Sequence, residues 1–161
     1  MTSTAPLPDP ADLPERPALP TLPGLPGWAV HTCPDLLVLT GRPGTGGVRP
    51  EVRVELISLG GPADPPDVRS WRAVDLHVLR RHSHGFDVED EDCFELHGRD
   101  VHYRRYAWLE GRRDLLGEEW AWALPGLGAL VAARLHRADY GRWCDLTEDL
   151  ADLVVAQLGR P

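Results

Sequence analysis

The sequence predicts an α+β fold in which an antiparallel sheet of six to seven strands is covered by two helices, in the order βββ-α-ββββ-α. Three observations carry this reading. Residues 51–59 alternate apolar and polar side chains, with Val52, Val54 and Leu56 on one side and Arg53 and Glu55 on the other, as a strand covering a core does. Beyond Gly85, four strand-like stretches are separated by Gly-bearing turns at hairpin spacing. Two further stretches repeat apolar residues at spacings of three and four between capping signals.

Half of the 16 prolines lie in residues 1–26, which end in Leu19-Pro20-Thr21-Leu22-Pro23-Gly24-Leu25-Pro26. A Pro every third residue favours polyproline II, whose backbone bonds to water. Residues 1–26 are therefore expected to be a solvated tail or linker, and residues 27–161 a single α+β domain. Removing residues 1–23 should then leave the melting temperature nearly unchanged.

The domain opens with a short strand at Trp28-Ala29-Val30-His31, a Pro34-Asp35 turn and a buried strand at Leu36–Thr40. A Gly-rich loop, Gly41–Gly47, leads to the alternating third strand. Asp64-Pro65-Pro66-Asp67 supplies a cap and a first-turn Pro for a helix over Asp67–His84, with Val68, Trp71, Val74 or Asp75, and Val78 facing the sheet and Gly85 as its stop. Four strands follow at Phe86–Leu96, Val101–Leu109, Leu115–Leu124 and Leu130–His136, joined by turns at His97-Gly98, Glu110-Gly111-Arg112 and Pro125-Gly126. The final helix spans Asp145–Leu158: Asp145 and Glu148 resemble a capping box, Leu146, Leu150, Leu153 or Val154, and Leu158 form its stripe, and Gly159 ends it.

Composition narrows the function. In 161 residues there are 25 Asp+Glu against 17 Arg and no Lys, a net charge of −8, which argues against nucleic acid or an anionic membrane as the main partner. No apolar run approaches the roughly 18–20 residues needed to span a bilayer, and the N-terminal stretch lacks the features of an export signal, so a cytoplasmic location is expected. The absence of Lys and Asn and the single Ile57 reflect a GC-rich genome such as an actinobacterial one. Cys33, Cys93 and Cys144 form neither a disulfide framework nor a CxxC pair, and read as free thiols.

Candidate chemistry gives way at each motif. Gly41-x-x-Gly44-x-Gly46-Gly47 lacks the Lys-Ser/Thr and helix of a phosphate loop and runs instead through Val48-Arg49-Pro50 into a strand. His82, His84 and Cys93, with the acidic residues between them, have metal-binding chemistry, but they straddle an element boundary without zinc spacing. The acidic run also lacks the order of a calcium loop. Glu118 and Glu119 point to opposite sides of a strand and are expected to be exposed. No nucleophile elbow is present, and no catalytic, cofactor-binding or metal-binding residue is assigned. Six Trp are heavy use of that side chain, and Trp120 and Trp122 alternate with Ala121 and Ala123 while Tyr106 and Trp108 alternate one strand earlier. Two helices can cover only part of a seven-stranded sheet, so the sheet face bearing Tyr106, Trp108, Trp120 and Trp122 is expected to include the partner-binding surface.

Several short phrases resemble the Mog1p/PsbP-like fold, with the LpqN-like lipoproteins and the DUF1795 effector chaperones among its relatives. They are Pro26-Gly27-Trp28, Arg49-Pro50-Glu51-Val52-Arg53-Val54, Gly98-Arg99 before a Tyr-bearing strand, and Ala138-Asp139-Tyr140 before the last helix, across residues 24–158. The resemblance implies a non-enzymatic protein-binding module. The leading expectation is a cytoplasmic adaptor or chaperone for an apolar or basic segment of another protein; the alternatives are an immunity-type inhibitor of a basic toxin and a small-ligand carrier.

Overall fold

The computed structural model describes residues 18–22, 24–59 and 67–158. The expected first-turn prolines Pro65 and Pro66 and the stop at Gly159 lie outside those residues. Seven strands, β1 (Ala29–Cys33), β2 (Leu36–Thr40), β3 (Glu51–Ser58), β4 (His84–Leu96), β5 (Arg99–Glu110), β6 (Arg113–Leu124) and β7 (Leu127–His136), form one antiparallel sheet in the order β1-β2-β3-β7-β6-β5-β4. Two helices, α1 (Val68–His82) and α2 (Tyr140–Leu158), complete the predicted order.

The helices lie on opposite faces of the sheet. Under α2, Leu150, Ala151, Val154, Val155 and Leu158 pack with Leu37, Leu39, Val52, Val54, Leu56, Trp120, Trp122 and Val131 into the main core. Under α1, a small cluster joins Val68 and Trp71 to Ile57, Ala121, Leu130 and Ala132. The alternation of β6 serves both faces at once, turning Trp120, Trp122 and Leu124 to the α2 side and Ala121 to the α1 side.

The meander closes through two-residue turns. His97 and Gly98 both adopt positive φ (51° and 74°), a turn of type I′ between the paired Leu96 and Arg99. Close approach also demands glycine: a Cβ on Gly128 would lie 2.5 Å from the Trp71 ring, so this gap in β7 is the seat of the largest apolar side chain of α1.

Several expectations are corrected. In α1, Val74 and Val78 point outward at 66% and 50% exposure, while Arg72 is buried, because the inward line of the helix is built around an ion pair. Asp67 caps that helix through the backbone N–H groups of Arg69 and Ser70, and Ser83, not Gly85, ends it. Gly85 instead begins β4 at a register shift, and His84 belongs to that strand. Helix α2 starts at Tyr140, since Tyr140, Trp143 and Leu146 already pack on the core, which leaves Asp145 and Glu148 inside the helix rather than capping it.

The Gly-rich loop is pinned, not loose: Asp139 accepts hydrogen bonds from the Thr45 N–H at 2.8 Å and its hydroxyl at 2.7 Å. The described part of the Pro-rich segment is also docked. Leu19, Leu22 and Leu25 recur every third residue, which places them on one side of a threefold helix, and all three pack against the main core. Gln157 of α2 donates to the Thr21 carbonyl at 3.4 Å.

Candidate functional site

The expected aromatic face does not exist as one surface. Trp120 and Trp122 point toward α2 and are 5% and 0% exposed, within the core. Tyr106 sits opposite Gly117 in the β5–β6 register, so it and Trp108 share the other face, where they stack at 5.6 Å between centroids. The neighbour of Trp120 is instead Tyr103, its register partner, at 5.3 Å. Because each face has its own helix, three of the four residues are buried and only Trp108 is half-buried.

Glu118 and Glu119 do point to opposite faces, but both are buried rather than exposed. On the α2 side, Glu118 accepts hydroxyl hydrogen bonds from Tyr103 (2.7 Å), Tyr140 (2.9 Å) and Thr147 (2.8 Å). Burial pushes the Tyr103 phenol upward, and its bond to Glu118 adds to this, so it stays a donor. On the α1 side, Glu119 accepts from Arg72 (2.9 Å), Arg104 (2.7 Å) and the Tyr106 hydroxyl (2.9 Å). Burial alone would raise the Glu119 carboxyl; Arg72 and Arg104 outweigh it and hold the group below its usual range. Each carboxylate thus ties a helix to the sheet, its lone pairs committed to the protein. The partners come from distant segments, and that is why the strand pattern alone does not reveal the burial.

Among the described residues, no three His, Cys, Asp or Glu side chains come together in a way that would hold a metal ion, and His82, His84 and Cys93 do not converge. No described helix is long and apolar enough to cross a membrane.

The surface feature that the elements do assemble is a cleft between the edge strand β4 and the middle of α2. Phe94, Leu96, Trp120 and Ala151 form its floor, and Glu148, Asp149 and Asp152 its rim. Period-two alternation puts Phe94 and Leu96 on the α2 side of β4, and helical spacing puts Glu148 and Asp152 one turn apart. Phe94 is 38% exposed, unusual for so large an apolar side chain. The His97 ring lies 2.7 Å from an Asp152 carboxylate oxygen. With about 200 Å³ of space, the cleft is smaller than the roughly 300–1,000 Å³ of small-molecule pockets. A wider depression beyond Phe94, bordered by Asp67, Val68, Cys93 and Arg99, is not enclosed either. Of the aromatic residues singled out in the sequence, Trp120 alone reaches the cleft; Phe94 and the acidic ridge were missed, although the alternation of β4 and the carboxylates at 145, 148, 149 and 152 were there to be read.

Taken together, the single antiparallel sheet with one helix on each face is an α+β architecture that the chain shares with LpqN. The solved structures to which the chain is similar include PA94 from Pseudomonas aeruginosa, a protein of unknown function, with a TM-score of 0.60 at 14% identity over 78% of this chain and 94% of that one. They also include LpqN of Mycobacterium tuberculosis, involved in cell envelope biogenesis, with a TM-score of 0.57 at 15% identity over 86% of this chain and 83% of that one. CyanoP from the cyanobacterium Synechocystis gives a TM-score of 0.45 at 11% identity over 83% of this chain and 92% of that one. At these identities the first two likenesses establish the fold. No family model matches the chain, and no curated protein matches it in sequence.

Proposed function

We propose that the protein is a non-enzymatic cytoplasmic adaptor or chaperone that takes a short apolar segment flanked by basic residues into the cleft between β4 and α2. The observation that carries this reading is the pairing of an exposed Phe94 over Leu96 and Trp120 with the carboxylates of Glu148, Asp149 and Asp152. An apolar floor removes a few side chains of the partner from water, and an acidic rim selects cationic flanks and speeds encounter. The edge of β4 lies alongside, with backbone groups on its outer side that suit an extended segment.

The test is fluorescence anisotropy with a labelled peptide holding four Leu or Val residues between Arg pairs. Binding should weaken with salt and fall at least about tenfold in Phe94→Asp and in Glu148→Arg/Asp149→Arg. Binding that is equal for an acid-flanked peptide, or unchanged in both variants, would overturn the proposal. Cell fractionation checks the compartment.

A further inference from the structure

Helix α1 turns Val68 and Trp71 to the sheet, but it also buries an arginine there and leaves two valines outside. Its sheet-facing line carries the buried Arg72, paired to Glu119 and Asp75, while its outer line carries Val74 and Val78 one turn apart. His77 and Arg81 share that outer line by helical spacing, and Arg80 lies beside it; all three are exposed. Among the described residues neither Arg80 nor Arg81 has a carboxylate partner. On a chain of net charge −8, this sets two exposed valines beside a basic cluster. Across the sheet, the cleft by α2 has the opposite character, an apolar floor with the acidic rim of Glu148, Asp149 and Asp152. Glu148 and Asp149 likewise have no basic partner among the described residues.

We infer that the outer face of α1 is a second docking surface whose occupant is another copy of this chain, the α1 strip of one molecule seating in the β4–α2 cleft of the next. The inference rests on the cleft reading above, and names a partner for it. Three features support it. The strip has the composition that the cleft selects. Two valines match an apolar floor in kind, and the Arg80–Arg81 pair complements the carboxylate rim in charge. And the two surfaces belong to opposite faces of the sheet, so neither is screened by the other within a molecule. Contacts between unlike surfaces are heterologous, so the chains join head to tail rather than as a closed twofold pair.

Sedimentation velocity across a concentration series tests this. The protein should show a weight-average mass that rises with concentration at low salt and falls as salt is added. Val74→Asp/Val78→Asp and Glu148→Arg/Asp149→Arg, all at exposed positions, should each remain monomeric. An equimolar mixture of the two variants retains one intact pairing, the cleft of the first with the strip of the second, and should form a heterodimer that grows no further. A monomeric wild-type protein at millimolar concentration overturns the inference. So does a mixture that stays monomeric, or association lost in only one variant. The labelled peptide separates the two readings: Val74→Asp/Val78→Asp keeps its cleft and should bind the peptide as the wild type does. If it binds peptide while the wild-type protein does not associate, the self-docking fails and the cleft stands.

Discussion

Glu119 shows what one side chain does for this fold. Its carboxylate pairs with two guanidinium groups that are 2% and 0% exposed, Asp75 supplies the second negative charge through Arg72, and the Nε atoms of Arg72 and Arg104 have no described partner. Glu119→Gln should therefore cost about 3–5 kcal/mol in urea unfolding, because it leaves buried charge uncompensated. Replacing Arg72 and Arg104 by Met and Glu119 by Leu together should cost far less, since the desolvation penalty disappears along with the pair. The pH dependence has a definite sign. The folded Glu119 carboxyl lies below its ordinary value of 4.5, so its contribution is complete above that pH and is lost as the pH falls through the depressed folded value. Acid titration of stability should be steeper in the wild type than in Glu119→Gln; equal slopes would mean that another carboxylate dominates. The opposite orientations of Glu118 and Glu119 are legible from the alternation of β6. Their burial is not, because the partners of Glu119 lie 47 and 15 residues away in sequence.

At the scale of elements, hairpins were the most legible part. Turn chemistry at His97-Gly98 and Pro125-Gly126 fixes register locally, and the observed strands extend the expected ones by only a few residues. Helix α1 was harder, since an apolar period of three and four names a stripe without saying what lies beneath it: Val68 and Trp71 face the sheet as expected, whereas Arg72 lies inside and Val74 and Val78 outside. Its seat gives a direct check. Gly128→Val would drive a side chain into the Trp71 ring and should destabilise the protein by about 1–3 kcal/mol, with altered near-ultraviolet circular dichroism. In the Pro-rich segment the prolines favour an extended backbone bonded to water, whereas Leu19, Leu22 and Leu25, spaced by three, pack against the core. Deleting residues 1–23, or making Leu22→Asp, should lower the melting temperature by about 5–10 °C, given the apolar area returned to water. A shift of under a degree would show that the docking adds nothing.

The whole molecule is organised around one long-range pairing. Strands β4 to β7 are sequential neighbours, whereas β3 meets β7 only by joining Ser58 to Leu127 and Glu51 to Arg134 across the intervening meander. Loop closure disfavours that step until the local hairpins exist, so the amides of β5 and β6 should gain protection in pulse-labelled hydrogen exchange before those of β3. Synthesis on the ribosome makes the delay physical. The apolar side of β3, with Val52, Val54 and Leu56, leaves the exit tunnel long before the strand that will lie beside it, and longer still before the helix that will cover it. At about 5–20 residues per second, the wait lasts several seconds. During translation, the first third of this chain is itself an apolar segment in need of shelter.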